Sequence, residues 1–134
     1  MIHPVIAPRN AVEHFGDNGG SIINVGSVIS NNPSAHSVIY SATKGAVDMI
    51  AISLSKELGS RNIRVNTIAP GIVSTEGSQA EGIIGSDFEK QLVTDTPLGR
   101  IGQPNDIAKV AVFLASDDAS WVNGEKISVS GGLR

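Results

Sequence analysis

Ser27, Tyr40 and Lys44 fall within one stretch, INVGSVISNNPSAHSVIYSATKGAV at residues 23–47, and Tyr40 is the only tyrosine in the chain. A phenol is a weak acid, with an ordinary pKa of about 10, so a tyrosine that moves protons near neutrality needs a positive charge beside it. Residues four apart share a helix face, which sets the Lys44 ammonium beside Tyr40, where it favours the ionised phenol. Such a tyrosine can exchange a proton with a substrate hydroxyl or carbonyl, and Ser27 would donate a hydrogen bond to the same oxygen. Two donors aimed at an oxygen that gains negative charge stabilise it. Each part has a plain alternative: a Tyr–Lys pair is common on a solvated helix, and a serine after a strand is commonly a turn or cap residue. The conjunction of all three at these intervals favours chemistry.

The surrounding pattern predicts the elements that position them. SIINV at 21–25 is a short β-branched run without alternation, as in a strand buried on both faces of a parallel sheet. From Val38 to Leu58 the apolar residues Val47, Ile50, Leu54 and Leu58 recur at helical spacing, with Gly59 as C-cap. NIRVNTIAP then reads as a strand that stops at Pro70-Gly71. Residues 71–102 form a glycine-rich loop with one short helix around Ser86 to Val93, the kind of segment that covers a site. Pro104, Asp106, Ile107, Val110, Ala111 and Leu114 predict another helix, and Ile127 and Val129 a last strand.

Alternating strands and helices imply an α/β fold with parallel strands and right-handed crossovers. In such a sheet the ligand crevice lies beyond the carboxyl ends of the strands, where Ser27 and the Pro70–Thr75 segment both belong. The chain divides into a residual helix at 1–15, a catalytic segment at 16–70, a substrate loop at 71–102, and a last helix and strand at 103–134.

At 134 residues there is room for one domain. Ten basic against thirteen acidic side chains and only five aromatics leave little from which to build a nucleic-acid surface. The absence of cysteine excludes disulfides and thiol chemistry. His3 and His14 have no ligand-spaced partners, so no metal site is predicted. His36 lies between Ser27 and Tyr40, yet a lone loop histidine is more often solvated. Asn24 and Asn66 read as backbone-bonding residues, and Trp121 with Val122 as core or subunit contact. MIHPVIAPRN does not read as a signal peptide and no long apolar run follows, so the expectation is a soluble cytoplasmic protein without membrane partners.

The serine after a strand, the Tyr-x-x-x-Lys and the segments RNIRVNTIAPGIVST, LGRIGQPNDIAKVAVFLASDDASWVNGE and SGG resemble, in order, the short-chain dehydrogenase/reductase family. The resemblance runs from about Val12 onward and is closest to the branch of 3-oxoacyl-carrier-protein reductases and glucose dehydrogenases. It implies the carboxyl-terminal half of a doubly wound Rossmann fold and NAD- or NADP-dependent hydride transfer between a nicotinamide and a small alcohol or ketone. It further implies Tyr40 as acid/base, Lys44 as its electrostatic partner and ribose ligand, and Ser27 as substrate positioner. Pro70, Gly71, Ile72, Val73 and Thr75 resemble the segment against the nicotinamide, and the 38–58 helix and last strand resemble the family's oligomer-forming surfaces.

The family's dinucleotide-binding half has no counterpart here. No two glycines are separated by a single residue, so a G-x-G-x-x-G turn is impossible. The family's further active-site asparagine would fall at or before Met1, and Pro8 interrupts the helix expected there. The strand at 21–25 is thereby expected to leave one edge open. A noncatalytic remnant that pairs with another chain through that edge is the rival reading.

Overall fold

The computed structural model describes residues 11–133, of which 11–14 are helical. Three strands form one parallel sheet in the order β1-β2-β3: β1 is Gly20–Val25, β2 is Ile63–Pro70 and β3 is Lys126–Val129. The registers place Asn24 beside Thr67 and Thr67 beside Lys126, so one row of side chains crosses all three strands. Besides the helical residues 11–14, four α-helices accompany them among the described residues: α1 at Val38–Leu58, α2 at Glu76–Ala80, α3 at Asp87–Asp95 and α4 at Pro104–Ala115.

Side chains alternate across a strand, so β2 feeds two cores. Ile63 and Val65 pack with Ala51 of α1, joined by Ile22, Leu54, Leu58 and Phe15. On the opposite face Ile68 packs with Leu114 of α4 and Ala119, joined by Ile23, Ile107, Ile127 and Val129. Ile63, Val65, Ile68, Leu114 and Ala119 are essentially inaccessible.

Polar side chains fix the joints between these layers. The Arg64 guanidinium donates to the carbonyls of Leu114 and Ser116 at 2.9 and 3.1 Å, placing a cation on the carbonyls that end α4. Buried Asn66 donates to Val122 O at 2.8 Å and accepts from Glu125 N at 2.9 Å, shaping the approach to β3. Asn123 accepts from Val65 N at 2.9 Å and donates to Ser55 O at 3.2 Å, tying that approach to α1 as well.

The layout departs from the sequence reading in several places. With α1 and α4 on opposite faces and the strands in linear order, the two crossovers have opposite hands, so the rule of right-handed connections holds for only one of them. That rule arises from packing a strand and its helix back onto the sheet directly. The β2–β3 connection instead carries α2, α3 and α4, and its length releases the constraint. β1 is half-buried rather than buried on both faces, and Val25 is 60% exposed, because among the described residues it pairs only with β2. Gly59 caps α1 in a right-handed conformation and leads into a 3₁₀ turn at Gly59–Arg61; the left-handed residue is Asn62, with φ 56°. Asn24 Nδ2 is buried without a hydrogen-bond partner, so the backbone-bonding expectation for asparagine is met by Asn66 alone of the pair. Trp121 is 95% exposed, whereas its neighbour Val122 packs in the core. The part of the predicted residual helix at 1–10, Pro8 included, lies outside the described residues.

Asn66→Ala would leave the Val122 carbonyl and the Glu125 amide without their partner. A loss of about 2 to 4 kcal/mol is expected for two such groups, measured as the shift in urea unfolding free energy.

Candidate active site

The carboxyl ends of β1 and β2 lie side by side, joined by a hydrogen bond from Gly26 N to Ile68 O at 2.7 Å. Gly26 allows the approach: a Cβ there would meet Thr67 Cγ2 at 2.7 Å. Ser27 follows in extended conformation, φ −164° and ψ 152°, and caps a 3₁₀ turn at Val28–Ser30. Its hydroxyl accepts from Ile29 N at 3.3 Å. The cap reading of Ser27 therefore holds, and it does not compete with the chemical one. An accepting hydroxyl keeps its own hydrogen, which remains available to a substrate oxygen.

Tyr40 and Lys44 stand on the first turns of α1. The Lys44 ammonium donates to the carbonyl of Val25 at 3.1 Å and lies 5.7 Å from the centroid of the Tyr40 ring. A single cation thus lies between the end of β1 and the Tyr40 ring, and Tyr40 is 51% exposed. His36 sits in the exposed loop between them in a left-handed conformation, φ 66°.

Beyond β2, the chain from Pro70 to Thr75 is held by backbone pairing. Gly71 N donates to Val129 O at 3.1 Å, and a Cβ on Gly71 would press on Ser130 Cβ at 2.8 Å and Cα at 3.0 Å. Gly102 N donates to Ile72 O at 2.9 Å and Ser74 N to Gly102 O at 3.0 Å, closing the base of the 71–102 segment. Thr75 caps α2: its hydroxyl accepts from Ser78 N at 3.1 Å, while Thr75 N donates to Ser78 Oγ at 2.9 Å. This segment has two helices where the sequence reading had one, since α2 is five residues long and shows no apolar stripe. Among the described residues the N–H groups of Ile72 and Val73 donate to no protein acceptor. Two free donors at the carboxyl edge of the sheet fit a carboxamide, as a nicotinamide ring would present.

The far end of the segment is clasped to α4. Arg100 holds Asp106 in a bidentate pair at 2.7 and 3.1 Å, and Gln103 N donates to the same carboxylate at 2.8 Å. The hydrogen bonds from Arg100, then from the Gln103 amide, hold the Asp106 carboxyl down at about 2.

The sequence reading missed a polar cluster behind Ser27, made of Ser30, Asn31, Asp48 and Lys126. Asp48 stands four residues after Lys44 on α1, which is the one signal in the sequence that marks it.

A family model described as enoyl-(acyl carrier protein) reductase matches residues 5–134. The chain belongs to the short-chain dehydrogenase/reductase family. It is 53% identical over 130 residues to an uncharacterized oxidoreductase of Methylorubrum extorquens, covering 97% of this chain and 52% of that protein. It is 38% identical over 133 residues to the 3-oxoacyl-[acyl-carrier-protein] reductase FabG of Chlamydia trachomatis, covering 99% of this chain and 49% of that one. Among solved structures, the angucycline C-6 ketoreductase LanV with bound NADP matches with a TM-score of 0.85 at 36% identity, over 97% of this chain and 49% of that one. The 7α-hydroxysteroid dehydrogenase complexed with NADH and 7-oxo glycochenodeoxycholic acid matches with a TM-score of 0.80 at 38% identity, over 85% and 44%. The chain therefore spans about half the length of the curated relatives it matches, and its Rossmann-type fold matches about half of the chain of each solved relative. The expected 3-oxoacyl reductase-like branch is borne out by these relatives. Among the described residues no helix is long and apolar enough to cross a membrane, and no acidic, histidine or cysteine group has the arrangement of a metal site.

Gly71→Ala should cost about 1 to 3 kcal/mol of unfolding free energy, because the added methyl meets the Ser130 backbone rather than a side-chain tip that can move. Asp106 gives an acid-dependent outcome. A carboxyl held low in the folded state contributes stability above its ordinary value near 4, and that contribution is lost as pH falls through about 2. Asp106→Asn should be less stable than the parent at neutral pH, with the gap closing between about pH 4 and about pH 2 in parallel urea titrations.

Proposed function

We propose that this chain supplies the catalytic half of an NAD- or NADP-dependent oxidoreductase acting on a small alcohol or ketone. The observation that carries the reading is the Lys44 ammonium, fixed to the end of β1 by the Val25 carbonyl and set 5.7 Å from the only tyrosine ring. In this reading Tyr40 passes a proton to the substrate oxygen during reduction and takes it back during oxidation, with Lys44 as its electrostatic partner. Ser27 donates its free hydroxyl hydrogen to the same oxygen. Lys44 would also hold the nicotinamide ribose. Ile72 and Val73 would meet the carboxamide through backbone groups, with Pro70 and Gly71 shaping the ledge and Thr75 at its end. A nicotinamide cofactor bound there supplies or accepts the hydride. The ketoreductase and hydroxysteroid dehydrogenase names of the related structures support a carbonyl or secondary alcohol as substrate.

The second reading, a noncatalytic chain that pairs with another polypeptide, is supported by β1, which among the described residues is paired on one side only. Self-association through α1, where Met49 is 61% exposed, and through β3 belongs to the same proposal.

Titration with NADH and NADPH tests whether the chain binds cofactor by itself. No measurable binding to the 134-residue chain by itself is expected, and saturable binding would instead identify an autonomous enzyme. Where the chain acts within an active enzyme, Tyr40→Phe should lower kcat by about 100- to 10,000-fold, the usual worth of a positioned proton donor, with the fold intact by circular dichroism. Turnover close to the parent would remove Tyr40 from the role.

A further inference from the structure

We infer that Asp48 and Lys126 are positioning residues for Ser27, a buried ion pair that holds the 27–31 turn in place from beneath; this rests on the reading of Ser27 as a donor to the substrate oxygen. The turn itself has no fully buried residue, and its apolar side chains Val28 and Ile29 are only half-buried. Its backbone bonds are local: Ser30 N to Ser27 O at 3.3 Å and Asn31 N to Val28 O at 3.0 Å. A three-residue 3₁₀ turn of this kind is weak on its own.

What ties it to the sheet is polar. Ser30 Oγ lies 2.9 Å from the carbonyl oxygen of Ser27 and 2.6 Å from Asp48 Oδ2, so its one hydrogen is shared between the residue to be positioned and the carboxylate. Lys126 Nζ lies 3.0 Å from the same Asp48 oxygen, donates to Ser30 Oγ, and donates to Asn31 Oδ1 at 3.0 Å. Three ammonium hydrogens thus meet three acceptors, two of which belong to the turn. The side chains of Asp48 and Lys126 are only 8% and 15% exposed, so water does little to loosen the contacts. Lys126 stands in the row Asn24–Thr67–Lys126, and Asp48 stands one helical turn after Lys44. Both halves of the proposed site are therefore referred to α1: Lys44 reaches Val25 before Ser27, and Asp48 with Lys126 reaches Ser30 after it.

A purely structural role, in which the pair only holds β3 to α1, makes a different prediction when both charges are removed together. Losing one partner strands a buried charge, while replacing both by apolar side chains commonly restores stability. Lys126→Met alone is expected to lower the melting midpoint and to loosen the turn. Asp48→Leu/Lys126→Met is expected to recover the midpoint while backbone amide order parameters at residues 27–31 fall from about 0.85 to below about 0.6 and those of β2 stay unchanged. Lys126→Arg, which keeps the cation, should restore the turn. Where the chain acts within an active enzyme, the double variant should lose about 100-fold in kcat with KM within about twofold, the size of effect that a misplacement of about 1 Å produces. Turn order parameters equal to the parent in the double variant, or kcat recovering along with the melting midpoint, would overturn the inference. Ser27→Ala in the otherwise unchanged protein tests the underlying reading separately: unchanged kcat there removes Ser27 from the chemistry, whereas a loss of the same factor in parent and double variant alike overturns only the positioning role.

Discussion

The whole arrangement depends on β2 being paired on both sides and buried on both faces. A central parallel strand has no solvent on which to spend its backbone polar groups, so its N–H and C=O groups must be met by neighbours in register. β1 and β3 supply them, and the carboxyl ends of all three strands are thereby brought to one edge. The two faces of β2 then demand cover, which α1 and α4 provide through separate apolar clusters. Ser27 and the Pro70–Thr75 segment follow β1 and β2 at that edge, and Lys44 reaches it from α1 through the Val25 carbonyl.

Once β2 is fixed, the polar side chains work as spacers between layers rather than as independent stabilisers. Arg64 ends α4, Asn66 and Asn123 shape the entry to β3, and Lys126 with Asp48 closes the gap between β3, α1 and the turn after β1. A buried ion pair adds little net stability over an apolar replacement, because desolvation offsets most of the attraction. What it supplies is geometry: a charge with fixed hydrogen-bond directions locates a turn more narrowly than nondirectional packing can. Asp48 Oδ1 and Thr67 Oγ1 lie buried with no partner near the Gly26 approach, so this corner is held at the expense of unsatisfied polar atoms.

Local patterns in the sequence carried the elements whose burial repeats along one segment. The helix read at Val38–Leu58 is α1 over the same residues, and the strand read at 21–25 is β1 with one residue added. The helix signalled by Pro104 and Asp106 begins where those residues place it, at a proline in the first turn. The helix α2 was not legible because its start is written in the Thr75–Ser78 hydrogen bonds, a capping box without the usual Glu or Gln and with no apolar stripe behind it. The hand of the β2–β3 connection was not legible either, since handedness rules describe short crossovers and this one contains three helices.

The candidate site divides along the same line. Tyr40 and Lys44 are four residues apart, and a helix period is enough to put them together. Asp48 and Lys126 are brought together only by the sheet register and the seating of α1 on β2, neither of which a local pattern encodes. Lysine at the start of a short strand reads as a solvated end residue until Thr67 is known to be its neighbour and α1 to lie above that row. A candidate site is thus visible in sequence where its residues belong to one element, and the groups that hold such an element in place become visible only when the packing of distant elements is known.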